Sequence, residues 1–171
     1  AHWHQQTPGA HPPGDVYGRG APGGMTLYEN GALGKKYRGL ILSSETVRNL
    51  IFGYRSTPAG AGHTLERSTF LKATTDGAKK WFRPSDVMGG PDGASYVCDW
   101  CDKNVGGHTC YDMAGRGAIY RITREGENPQ PPELDLTTID GMIKALKNPA
   151  SNVRYLGFEK LIQQGTEARR A

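Results

Sequence analysis

From residue 25 to residue 123 the apolar residues come in short runs, each closed by a turn rich in glycine or proline. Met25–Tyr28, Gly39–Ser44, Asn49–Thr57 and His63–Lys72 are four strand candidates in succession. Leu40-Ile41-Leu42 and Leu50-Ile51-Phe52 suit buried strands, whose two faces are both covered. Asn30-Gly31 is a strong turn dipeptide, and Pro58-Ala59-Gly60-Ala61-Gly62 reads as a loop. Strands recurring at roughly 8–12-residue intervals point to a sandwich, a barrel or a propeller. Four in sequence make one blade-sized sheet.

A polar link, residues 74–80, leads to a second module over 81–123. Its strand candidates are Pro84–Gly89, Ala94–Trp100 and Gly117–Thr123. Gly90-Pro91-Asp92-Gly93 turns between the first two, and a long loop over 101–115 holds Gly106-Gly107-His108. No fourth strand candidate follows. That pattern fits a closed propeller whose last sheet is completed by a strand from earlier in the chain.

Beyond Arg124 the periodicity changes. Residues 124–133 read as a Pro-rich linker and 134–166 as two amphipathic helices, with 167–171 as a tail. Thr137 or Thr138 caps the first helix, whose stripe is Ile139, Met142, Ile143 and Leu146. Asn148-Pro149 breaks it. The second begins at Ser151 or Asn152, with Val153, Leu156, Leu161, Ile162 and partly Phe158 as its stripe, and ends at Gly165. One such pair is a single unit of a helical solenoid and does not bury its stripe alone. Residues 1–24 read as loop, broken by Pro-Gly, Pro-Pro-Gly and Gly-Gly. The chain opens as though inside a domain, so the sequence reads as a fragment or a processed piece of a larger protein. The expected fold is mainly β with a C-terminal α part: about two propeller blades, then a helix pair.

Composition narrows the function classes. The 24 glycines and 11 prolines favour strands and loops over helices. The net charge of +4 comes from scattered Lys and Arg, not a stripe, which disfavours nucleic acid. No apolar run approaches the ~18 residues that a membrane helix needs. Ala1-His2-Trp3-His4 does not open a signal peptide. His2, His4 and His11 are a weak metal signal and read better as loop-packing imidazoles.

Two polar constellations stand out. Asp99, Asp102, His108 and Asp112 combine carboxylates with an imidazole. His108 with Asp99 is the usual equipment for taking a proton from a hydroxyl. Asp99 and Asp102 are alternatively oxygen ligands for calcium, and all four residues also suit plain turn chemistry. Cys98, Cys101, His108 and Cys110 have the ligand types of a structural zinc site, although Cys98 and Cys101 fall on or just after a strand, not in a turn. An odd number of cysteines in one patch is no disulfide framework, so one bridge plus a thiol, a metal site and three unrelated residues all stay open.

The ordered series RPSDV, GPDG, YV, DW, VGGH, RG and IYRI, followed at once by a helix pair, resembles a known family, as do the earlier PPGDVYG, LYENGALG and FGY. The chain is similar to planctomycete and verrucomicrobial dehydrogenase-domain proteins, secreted or membrane-bound. In these a propeller like that of soluble quinoprotein sugar dehydrogenases precedes HEAT repeats and a c-type haem domain. The resemblance covers about residues 2–165. It implies the last propeller blades and the first HEAT repeat of an exported, periplasmic or extracellular quinoprotein-like dehydrogenase. Such a protein oxidises a sugar or other alcohol and passes electrons to a c-type haem, with the remaining propeller, HEAT and haem domains in the rest of the protein or on partner chains. It implies pyrroloquinoline quinone as a cofactor, beside the calcium that Asp99 and Asp102 could hold as oxygen ligands. Arg83 would hold the quinone carboxylates, a task suited to a guanidinium fork; the bland reading is a salt bridge from Arg83 to Asp86 or Asp99. A secreted protein favours a Cys101–Cys110 bridge over zinc.

The chain departs from the family pattern where YVCDWCD replaces a strand like YVADWYD, and where Ser95 replaces an apolar residue. No Cys-x-x-Cys-His occurs, so any haem belongs to another domain or partner. The reading of a different class is a non-catalytic propeller–solenoid module that binds protein or glycan, or one subunit of a larger complex.

Overall fold

The computed structural model describes residues 14–74, 81–102 and 117–166. The chain is mainly β, with two C-terminal helices. It divides into two compact units. One is built from Gly39–Met88 with the described parts of 1–27 and 97–120; the other from Tyr28–Arg38, Gly89–Tyr96 and the described part of 121–171.

Strands β1 (Pro22–Tyr28), β2 (Leu40–Glu45), β3 (Leu50–Ala59) and β4 (Gly62–Lys72) form a four-stranded sheet in sequence order. β2 and β3 pair antiparallel with Leu42 opposite Gly53 and Ser44 opposite Ile51. β3 and β4 pair antiparallel with a register shift between Ile51 and Phe52. In β2 and β3 the buried apolar residues are Leu40, Leu42, Ile51, Phe52 and Tyr54. Between β2 and β3 Asn49 adopts φ 59, a left-handed conformation that Asn tolerates better than most residues, and its amide donates to the Phe82 carbonyl.

Most strand ends fall within one or two residues of those the sequence predicts, and glycine explains the larger departures, at the start of β1 and in the β3–β4 turn. β1 starts at Pro22, not Met25, and Gly23 and Gly24 explain why. A side chain at Gly23 would collide with the Ser85 carbonyl, and one at Gly24 with the Asp86 carboxylate. The chain therefore runs extended along a neighbour that only glycine admits. The loop predicted over 58–62 shrinks to a two-residue turn at Gly60-Ala61, because Gly60 takes φ +59.

The segment before β1 is pinned to this sheet. The Tyr17 ring packs tilted on Phe52 at 5.1 Å. The Arg67 guanidinium lies over both rings and pairs with Asp15 at 2.6 Å. Glu45, at the end of β2, is completely buried. Its Oε1 accepts the Ala21 amide (2.7 Å) and the Val47 amide (3.1 Å), and its Oε2 accepts the Tyr17 hydroxyl (2.6 Å). The Tyr17 phenol titrates well above its ordinary range, first through burial and then through this bond to Glu45.

Strands β5 (Pro84–Gly89), β6 (Ser95–Asp99) and β7 (Ala118–Ile122) form a second sheet in the order β5-β6-β7. The predicted Gly90–Gly93 turn is present: the Gly93 amide donates to the Gly90 carbonyl at 3.0 Å, with Gly93 at φ 83. Asp92 secures it by accepting the Ala94 amide, the Tyr96 hydroxyl and Arg121 Nε at 3.1, 3.0 and 2.8 Å. These bonds hold the Asp92 carboxyl below the usual range against the upward push of burial.

Helices α1 (Ile139–Leu146) and α2 (Ser151–Gln163) form the predicted pair. Thr138 caps α1, its Oγ1 accepting the Gly141 amide at 3.2 Å. Asp135 accepts from the Thr137 amide and from the Thr137 and Thr138 hydroxyls, and these bonds lower its pKa to about 2. The second stripe falls differently from prediction. Val153 and Gly157 are the buried residues of α2, while Leu156, Phe158 and Ile162 are exposed. A side chain at Gly157 would press on the Met142 carbonyl (2.7 Å) and the Ala145 Cβ (2.9 Å). Close approach of the helices at that glycine rotates the larger residues outward. Among the described residues no helix is long and apolar enough to cross a membrane.

Candidate functional site

Asp99 and Asp102 meet Arg83 around a turn that ends β6. Asp99 and Arg83 are both buried, at 7% and 8% exposure. Asp99 Oδ1 accepts two backbone amides, those of Arg83 and Cys101, each at 2.8 Å. Its Oδ2 lies 3.4 Å from the Tyr120 hydroxyl. The Tyr120 phenol is pushed up by burial first and by the Asp99 charge second. Arg83 donates through Nε to the Asp102 carbonyl (2.6 Å) and through Nη1 to the Thr46 carbonyl (3.3 Å). Its own carbonyl accepts the Trp100 amide at 2.9 Å. Arg83, at the start of β5, thus clamps both ends of the turn 99–102. Asp86 is occupied locally, accepting the amide of its neighbour Val87.

A cavity of about 270 Å³ opens beside this clamp. Its walls include Ala21–Gly23, Thr46, Arg83, Ser85, Trp100 and Asp102. Thr46 Oγ1 donates to the Pro84 carbonyl and Ser85 Oγ to the Cys98 carbonyl. Each hydroxyl gives its proton to the backbone, so toward a ligand each oxygen acts as an acceptor. Trp100 is 70% exposed, an unusual condition for so large an indole. Asp102 and Arg83 place opposite charges on the same wall. The arrangement combines one broad aromatic face, hydroxyl acceptors and no strong net charge.

Sequence reasoning reached Arg83, Asp99 and Asp102 but assigned no role to Trp100, Thr46 or Ser85. The available signal was an indole between two aspartates just past a strand end. Of the remaining expected site residues, Cys98 and Cys101 are free and half-buried. His108, Cys110 and Asp112 lie outside the described residues, as do His2, His4 and His11. The expected base pair His108–Asp99, the zinc set and the Cys101–Cys110 bridge each include at least one of these. Among the described residues no group of three or more His, Cys, Asp or Glu converges on a metal-sized site.

Arg83 and Asp99, the residues expected to hold quinone and calcium, both serve backbone partners here. A calcium ion takes six to eight or so oxygen ligands, and Asp99 Oδ1 already accepts two amides inside a buried turn. Arg83 directs its Nε and Nη1 at backbone carbonyls, where a carboxylate clamp would present them outward.

Comparison with known proteins gives one structural neighbour of note. It is a crystal structure provisionally described as an oxidoreductase (glucose dehydrogenase) from Thermus thermophilus. The two are 17% identical over 67% of this chain, with a TM-score of 0.47. The chain spans 29% of that structure's length. No curated protein matches. The family model described as a domain of unknown function, DUF7133, matches residues 11–125 of the 171, and the chain belongs to that family.

Proposed function

We propose that this chain supplies a carbohydrate-binding wall to an exported, dehydrogenase-like β-propeller protein, with the Trp100 pocket as the seat of one sugar residue. The exposed Trp100 indole beside the Thr46, Ser85 and Asp102 oxygens carries the reading. A sugar has an apolar C–H face that suits an indole and a rim of hydroxyl donors that suits an acceptor wall. The cavity lies just below the ~300–1,000 Å³ of drug-sized sites, so it suits a single ring and not an extended chain. The opposed charges of Arg83 and Asp102 favour a neutral ligand. The ordered motifs from RPSDV to IYRI, the two sheets and the helix pair support a quinoprotein-like propeller followed by a HEAT-like repeat. Arg83 shapes the pocket, and neither hydride nor proton transfer is assigned to Arg83 or Asp99.

Titration of tryptophan emission with glucose, sorbitol and glycerol tests the binding. Glucose is expected to shift the emission saturably, and Trp100→Ala to weaken it at least about tenfold through loss of the stacking face. No binding of any of the three by the wild-type chain overturns the reading. A dye-reduction assay with pyrroloquinoline quinone and calcium, run on the longest form of the protein, separates the two classes. Sugar-dependent reduction favours the dehydrogenase. Binding without reduction favours the non-catalytic glycan module, which the backbone-committed Arg83 and Asp99 also support.

A further inference from the structure

We infer that Asp99 is a positioning residue for Trp100, fixing the turn that presents the indole to the pocket; this deepens the carbohydrate reading and rests on it. β6 ends at Asp99, and the chain must turn sharply to bring both Trp100 and Asp102 to the cavity wall. The turn passes through Cys101 at φ 58, a left-handed conformation that is unfavourable for a non-glycine residue. That conformation needs a fixed partner, and Asp99 Oδ1 provides it by accepting the Cys101 amide across the turn. The same oxygen accepts the Arg83 amide, while the Arg83 carbonyl accepts the Trp100 amide. The backbone of Trp100 is therefore held on both sides while its side chain stands open to a ligand. Asp99 itself is buried and does not line the cavity, so it acts through Trp100. The Tyr120 hydroxyl lies 3.4 Å from the other carboxylate oxygen, Oδ2.

The inference predicts a specific rescue pattern. Asparagine keeps Oδ1 as acceptor for both amides, whereas alanine removes it. In the full chain with Trp3→Phe and Trp81→Phe, Trp100 is the single tryptophan and is excited selectively at the red edge, away from the tyrosines. Asp99→Ala is expected to weaken glucose binding about tenfold and to change acrylamide quenching of Trp100, while Asp99→Asn stays within about twofold of the parent in both. Thermal midpoints are recorded for each variant, and a purely structural role would scale binding with the midpoint. Asp99→Ala with unchanged binding and quenching overturns the inference, as does Asp99→Asn as weak as alanine. If the alanine variant does not fold, Asp99→Asn decides alone: near-parent values uphold the inference and a tenfold loss sinks it. If the parent binds no sugar, the carbohydrate reading fails, and the quenching data still decide the positioning of Trp100.

Discussion

Replacing Glu45 tests how the pocket wall is built. Glu45 is fully buried at the end of β2 and serves three donors with two oxygens. Glu45→Ala leaves the Ala21 and Val47 amides without their acceptor. An unsatisfied buried donor costs ~1–3 kcal/mol, and the low end applies because both bonds are part-buried. Loss of the Tyr17 partner adds ~1 kcal/mol, and the emptied side-chain volume a similar amount. The sum is ~4 kcal/mol, reduced to ~3 kcal/mol because the effects share one site and are not additive. Glu45→Gln behaves differently. Its Oε1 still accepts both amides, and only the Tyr17 hydroxyl loses an acceptor, for ~1 kcal/mol. Urea unfolding reads both. With a slope near ~2 kcal/mol/M, the midpoint falls by ~1.5 M for alanine and ~0.5 M for glutamine, at unchanged slope. An alanine midpoint within 0.5 M or so of wild type, or a glutamine variant as damaged as alanine, refutes the assignment of that stability to the two amides. Ala21 lines the pocket and donates to Glu45, so the alanine variant is also expected to bind sugar more weakly than the glutamine variant.

The Ser95 hydroxyl is completely buried and has no hydrogen-bond partner among the described residues. Ser95→Ala is therefore expected to raise stability by ~1 kcal/mol in calorimetry, and a lower melting temperature would show that the hydroxyl is satisfied. Asp135 has a depressed folded pKa of about 2, so its contribution is fully present above the unfolded pKa near ~4 and is lost as pH falls through about 2. The helical circular dichroism signal should hold from neutral pH to ~4 and then decline toward ~2. Asp135→Ala should show a weaker signal at neutral pH and a flatter profile in that window; an unchanged profile would count against the Thr137–Thr138 cap.

The β elements were legible because the apolar runs and the Gly/Pro turns agree with each other. All seven described strands fall on predicted runs, most ends within one or two residues, and the larger departures come where glycine permits something that composition does not signal. Gly23 and Gly24 extend β1 because neighbouring backbone and carboxylate fill the space of a side chain. The α2 stripe failed for a related reason. Helical periodicity ranks residues by hydrophobicity, but the contact with α1 is governed by how closely the backbones approach. Gly157 sets that distance, and Val153, one turn away, is buried with it. The larger Leu156, Phe158 and Ile162 then lie outward.

At the site, residue types were legible and orientations were not. An Arg and two Asp near a strand end satisfy several chemistries equally, including cofactor clamp, base and calcium ligand. The choice depends on where each lone pair and each N–H points, and here the backbone decides. Cys101 turns left-handed, so its amide faces Asp99; the carboxylate is drawn into the turn and becomes part of the frame. Arg83 follows, because the carbonyls of Thr46 and Asp102 come within reach of its guanidinium. The chemistry-bearing residues nearest the backbone thus become scaffold. The ligand-facing role passes to the residue between them, whose backbone is held and whose side chain is free. Trp100 carries that role because its amide is bound to Arg83 while the residue remains 70% exposed.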